Sequence, residues 1–107
     1  MNNTQSKQRE YEVLAMLFKR YEDKIKQNQA NFNNLMLPEK CQYSHLLRLA
    51  HEAHSNALNY PTDKLHRWLG FIQGVLCVVG IIDVDQERDF TRPLLHSYHD
   101  KKPETFQ

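Results

Sequence analysis

A chain of 107 residues with a formal charge of +1, 25% charged and 40% hydrophobic residues, has room for one domain with its own core and none for a second. So balanced a charge sets up no long-range field for coating nucleic acid or anionic lipid, and three glycines with four prolines are too few for the turns of an all-β chain. Cys41 and Cys77, outside any CxxC and behind a polar N-terminus without a secretory pattern, read as reduced thiols of a cytoplasmic protein.

The first helix is expected from about Thr4 to about Asn31. Tyr11, Leu14, Phe18, Tyr21 and Ile25 alternate at spacings of three and four, and Val13 and Leu17 widen the stripe into a face suited to a bundle. Asn28, Asn31, Asn33 and Asn34 then compete for backbone hydrogen bonds, so the segment before Pro38 reads as a fraying end and a loop. Phe32, Leu35, Met36 and Leu37 in that loop either close over the core or form a contact surface. A second helix follows from Pro38–Cys41 to about Asn59, with Tyr43, Leu46, Ala50, Ala53 and Ala57 on its inner face, and Tyr60-Pro61 ends it.

The third helix starts with Thr62 as N-cap and Asp63 in its first turn. From Leu65 to Val79 it is apolar nearly all round, which predicts a central helix buried all round. Gly70 and Gly74, four apart on one face, let two backbones approach closely, and Gly80 is the C-terminal stop. The most strongly apolar run, Trp68 to Ile82, is about 15 residues, carries Gln73 and falls short of the ~20 needed to span a bilayer. Asp83 to Gln86 reads as a capping-box variant opening a fourth helix, in which Pro93 makes a kink or a new start. Leu94, Leu95 and Tyr98 should pack on the core, and residues 100–107 form a charged tail outside the domain at 1–99. The expected fold is thus all-α: a four-helix, bundle-like single domain with a long N-terminal helix and a buried third helix. It leaves enough apolar surface to predict a homo-oligomer.

For metal chemistry the candidates are His51 with His54 and His96 with His99, each pair on one helical face, but neither is the H-E-x-x-H of a zincin. No cofactor is expected. An Mg²⁺-dependent nucleotide pyrophosphohydrolase would need carboxylates facing each other from two helices, whereas Asp83, Asp85, Glu87 and Asp89 crowd one helix start. Those acids would also repel phosphate, which argues against sequence-specific DNA binding. Neither Ser44-His45, nor Ser97, nor the two cysteines show a base and an orienting group, and no phosphate-cradling loop exists.

A basic and aromatic rim flanks the apolar run: Lys64, His66, Arg67 and Trp68, with Arg88 and Arg92 beyond. These six are the candidate ligand-binding residues, since Arg and Lys grip phosphates and an aromatic ring stacks on a base. An internal ion-pair network, for instance Arg67 with Glu87 or Asp89, explains the same residues structurally.

The stretch Arg67-Trp68-Leu69-Gly70-Phe71-Ile72-Gln73-Gly74-Val75-Leu76, with Gly80, Asp83, Asp85, Glu87-Arg88-Asp89 and Thr91-Arg92-Pro93, resembles a signature of small proteins encoded by tailed bacteriophages and prophages. It covers about a third of the chain, between Asp63 and Tyr98. The resemblance implies a phage setting and supplies no catalytic residues. By analogy of size and setting, it suggests a non-enzymatic counter-defence protein that sequesters a nucleotide-type or cyclic-nucleotide signal in an oligomer. The first alternative is a protein-binding inhibitor of a host defence enzyme, working through the Phe32–Leu37 loop and the outer face of the first helix; the second is the Mg²⁺-dependent nucleotide pyrophosphohydrolase, with Glu87 and Asp89 as its carboxylates.

Overall fold

In the computed structural model, which describes residues 3–98, helix α1 spans Asn3–Gln27 and lays its apolar stripe along the other helices. Leu14, Leu17, Phe18, Tyr21 and Ile25 have no exposed surface at all. α1 stops four residues earlier than its pattern suggests. The Asn28 side chain turns back to donate to the Lys24 carbonyl at 2.8 Å, offering the backbone a substitute for the next helical turn. A separate single turn, α2 (Ala30–Asn33), then swings Phe32 into the core. The loop beyond divides: Phe32 closes over the core and Leu37 packs at its edge, while Leu35 and Met36 face outward.

The second expected helix comes in three pieces. A 3₁₀ turn at Glu39–Cys41 leads to α3 (Tyr43–Ser55), and a second 3₁₀ turn at Ala57–Asn59 follows. Asn56, with φ of −127°, breaks the α conformation between the last two. Leu46, Ala50 and Ala53 form the buried face of α3, which makes its most extensive packing with α1. The alanines allow that approach because they put little between the two backbones.

Helix α4 (Thr62–Val78) begins one residue earlier than Thr62 capping would require: Pro61 occupies the cap and its carbonyl accepts from Lys64 and Leu65. Thr62 instead accepts a hydrogen bond from Lys7 of α1. A larger correction concerns burial. Leu65, Leu69, Ile72, Val75 and Leu76 are buried, but Phe71 is 40% and Val78 78% exposed, so α4 covers the core with one face and shows an apolar face to solvent. A domain of this size has too few elements to surround a helix completely.

Gly80 ends α4 with φ of +84°. Its N–H bonds to the Cys77 carbonyl and that of Ile81 to Leu76, the two crossed bonds of a Schellman turn. Helix α5 (Val84–His96) opens on Asp83, whose carboxylate accepts from the Gln86 N–H at 2.9 Å. Pro93 neither ends α5 nor starts another helix; it lies within it. Tyr98 is buried, and Leu94 and Leu95 pack against the core edge. The tail at 100–107 and His99 of the second histidine pair lie outside the described residues. The fold is all-α, four longer helices with short turns between them, and no strand occurs among the described residues. None of the described helices is long and apolar enough to cross a membrane.

Candidate functional site

The six rim residues do not converge. On α4, Lys64 holds its ammonium 5.9 Å from the Tyr60 ring centre and 5.6 Å from that of Trp68. The two rings lie 4.9 Å apart and tilted by 59°, so the cation sits over an aromatic pair. His66, two residues on, points back toward α1 and donates from Nε2 to Glu10 at 2.8 Å. Arg67 is on the outer face, 3.4 Å from Asp63 on the same helix. Arg88 pairs with Asp85 on α5, and Arg92 is exposed. Helical geometry explains the scatter: 64, 66 and 67 project in three directions from one helix, and α5 is a separate element.

The expected internal network exists with other members. Glu87, 7% exposed, accepts from Arg20 on α1 at 2.9 and 3.1 Å, not from Arg67, and from the Tyr21 hydroxyl at 2.6 Å. Gln73 of α4 donates in turn to the Tyr21 oxygen at 3.0 Å. Arg20 also stacks 4.0 Å above the Phe90 ring. Three helices are thereby joined around one carboxylate. Burial pushes the Glu87 carboxyl up, but the hydrogen bonds from Arg20 and Tyr21 outweigh it and hold its pKa below the ordinary range. Arg20 rises because its hydrogen bond to Glu87 favours the charged form more than burial disfavours it.

A second group ties α1 to α3. His51 donates from Nδ1 to Glu22 Oε2 at 2.9 Å, and Lys26 lies 3.5 Å from the same oxygen. Glu22 is 3% exposed. Burial raises its pKa, but His51 and Lys26 leave it lowered overall. His54, one turn along, buries its Nδ1 without a partner among the described residues and does not join His51 in a ligand set. No three His, Cys, Asp or Glu side chains among the described residues come together as metal ligands. The two cysteines are free and half-buried.

No family model, curated protein or solved structure matches this chain. The residues of the Asp63–Tyr98 signature nonetheless have structural explanations. Its apolar members line α4, Gly80 makes the Schellman turn, Asp83 caps α5 and Glu87 is clamped by Arg20.

Two clefts are formed by the described residues. One of about 490 Å³ lies between α1 and the end of α3, lined among others by Tyr11, Glu12, His54 and Asn59. The other, about 340 Å³, is bounded by Phe32, Asn33, Leu35, Gln42, Tyr43 and Ser44. Neither includes any of the six rim residues. Leu35, 46% exposed, lines the second, and its chain neighbour Met36 has a fully exposed side chain. Patterning along the sequence puts Tyr21 on the α1 stripe, Glu22 four residues before Lys26 and Gln73 within the apolar run, but does not show that Arg20, Tyr21 and Gln73 meet around Glu87 or that Glu22 faces His51. The one available signal is Glu22 and Tyr21 lying on or beside the fully apolar stripe of α1, where a polar group needs a partner from another helix.

Proposed function

We propose that this chain is a phage accessory protein of the host-cell cytoplasm that works by binding a host protein, with Leu35, Met36 and the adjoining cleft as its contact surface. The observation that carries the reading is the complete exposure of Met36 beside a half-exposed Leu35, on a loop anchored by buried Phe32. A loop that has apolar residues to spare and still presents them to solvent fits a partner's surface, and methionine adapts well to one. The phage setting comes from the resemblance of the 63–98 segment. The test is capture from host extract with wild type and Met36→Glu side by side. A protein held by the wild type and released by the variant, and whose activity falls on binding, supports the reading; identical capture by both proteins defeats it.

A second reading, sequestration of a nucleotide-type ligand, is favoured by Lys64 above the Tyr60–Trp68 pair. A cation over paired rings combines a phosphate contact with a stacking platform. Of the six rim residues, Lys64 and Trp68 are the two in one place; His66, Arg67 and Arg88 already hold carboxylates. Thermal stabilisation by cyclic or linear nucleotides that disappears in Trp68→Ala supports this reading, and its absence for every nucleotide tried well above a micromolar Kd removes it.

A further inference from the structure

We propose that the outer face of α4 is the contact between two copies of this chain, packed antiparallel about a two-fold axis. Arg67, Phe71, Gly74 and Val78 succeed one another at steps of four, three and four residues, Gly70 lies four before Gly74 on the same side, and all five are exposed. They run opposite the core stripe of Leu65, Leu69, Ile72 and Leu76, so α4 carries two seams and uses one of them inside the chain. The exposed seam presents Phe71 and Val78, two turns apart, at 40% and 78% exposure. Gly70 and Gly74 face no counterpart among the described residues: a Cβ added at either would meet nothing within 4 Å. Glycine weakens the middle of a helix relative to alanine, and close approach of another chain is the reason the geometry offers.

A second copy fits this face because the face holds both halves of each complementary pair. With the axis midway between positions 71 and 74, the Phe71 ring of each copy lies over Gly74 of the other, a side chain against bare backbone. The same register places Arg67 of one copy beside Val78 of the other. That end of α4 is followed in the chain by three exposed acids, Asp83, Asp85 and Asp89, a charge opposite to that of the incoming guanidinium. Arg67 is free to make that exchange, since its own partner Asp63 is 80% exposed and 3.4 Å away, a weak surface pair. Antiparallel helices also set their dipoles favourably. Self-complementarity of this kind is what an isologous contact requires, whereas an unrelated partner needs only one half of each pair. The seam includes neither Leu35, Met36 nor the Lys64–Trp68 pair, so it stands or falls separately from the two readings above.

Sedimentation equilibrium of the full chain over a dilution series is the test. Wild type should reach twice the 12.8 kDa chain mass and dissociate on dilution. Phe71→Glu and Gly74→Leu should remain at 12.8 kDa where the wild type is dimeric, with unchanged helical circular dichroism. Gly74→Ala separates a broken contact from a broken fold. Its dissociation constant should rise about tenfold or more, while its melting temperature, measured where the chain is monomeric, stays level or rises. Wild type that remains at 12.8 kDa into the millimolar range overturns the proposal. So does equally tight association of Gly74→Leu or Gly74→Ala.

Discussion

The guanidinium of Arg20 closes on both oxygens of Glu87, Nε at 2.9 Å and Nη2 at 3.1 Å, and so fastens α5 to α1. The two residues of α5 buried between its caps are Glu87 and Thr91, neither of them apolar, so this helix depends on the clamp more than on a hydrophobic stripe. Arg20→Ala leaves a carboxylate buried with only Tyr21 to serve it. The expected loss is about 2–4 kcal/mol, below the cost for a fully buried pair because Arg20 is itself a third exposed. Glu87→Gln, which keeps the shape and removes the charge, should cost about 1–2 kcal/mol. Urea denaturation measures both. Amide exchange adds a sharper criterion: α5 should lose protection ahead of α3, and uniform loss would mean the clamp is not what holds α5.

Acidification should act through the same residue. The folded pKa of Glu87 lies below its unfolded value of 4.5, as does that of Glu22. A depressed carboxyl contributes stability that is fully present above the unfolded pKa and lost as pH falls through the folded one. Melting temperature should therefore hold steady above pH 5 and decline progressively below 4.5. Glu87→Gln should show a shallower acid decline than wild type. Parallel curves would contradict the depressed pKa. Tyr21 works in the other direction: burial pushes its hydroxyl well above the ordinary 10, so its contribution is present below that value and fades in strong alkali.

How far each feature can be read from the sequence depends on the range of the interaction that makes it. The α1 stripe and the caps at Gly80 and Asp83 are local, set by side chains within a turn or two, and each is legible in the order of residues. The outer face of α4 is not. A mostly apolar run of about 15 residues, broken by Gln73, hides the difference between a surrounded helix and one covered on a single side, and only the number of neighbouring elements decides it. The Arg20–Glu87 clamp spans 67 positions and has no local mark at all. Arg67 is a natural candidate for Glu87 because both flank the apolar run, but the direction in which each helix projects its side chains gives Glu87 to α1 instead.

Met36→Glu should leave the fold untouched. The side chain is fully exposed and contributes no burial, so its replacement should change stability by less than about 0.5 kcal/mol. Leu35→Glu, at half exposure, should cost somewhat more, within about 1 kcal/mol. Chemical denaturation of the two variants gives these values directly. A larger loss at Met36 would show that the loop closes on the core in solution, and would remove the free apolar surface on which the host-protein reading depends.

Gly80 is the glycine whose backbone conformation, at φ of +84°, excludes ordinary residues. Crowding is not the obstacle, since the nearest atom to an added Cβ is Asn31 Nδ2 at 3.7 Å, an ordinary contact. What opposes substitution is the left-handed backbone itself, which costs an L-residue about 1–2 kcal/mol. Gly80→Ala should lose that amount. Gly80→Asn should lose less, because asparagine tolerates this region. Two consequences distinguish backbone strain from simple loss of packing. The alanine and asparagine variants should differ although asparagine is the bulkier, and the order should reverse if steric conflict with Asn31 governs instead. Asn31 also donates to the Val79 carbonyl at 2.9 Å, so Asn31→Ala in the wild-type background should weaken the same turn by about 1 kcal/mol without altering the difference between the two Gly80 variants.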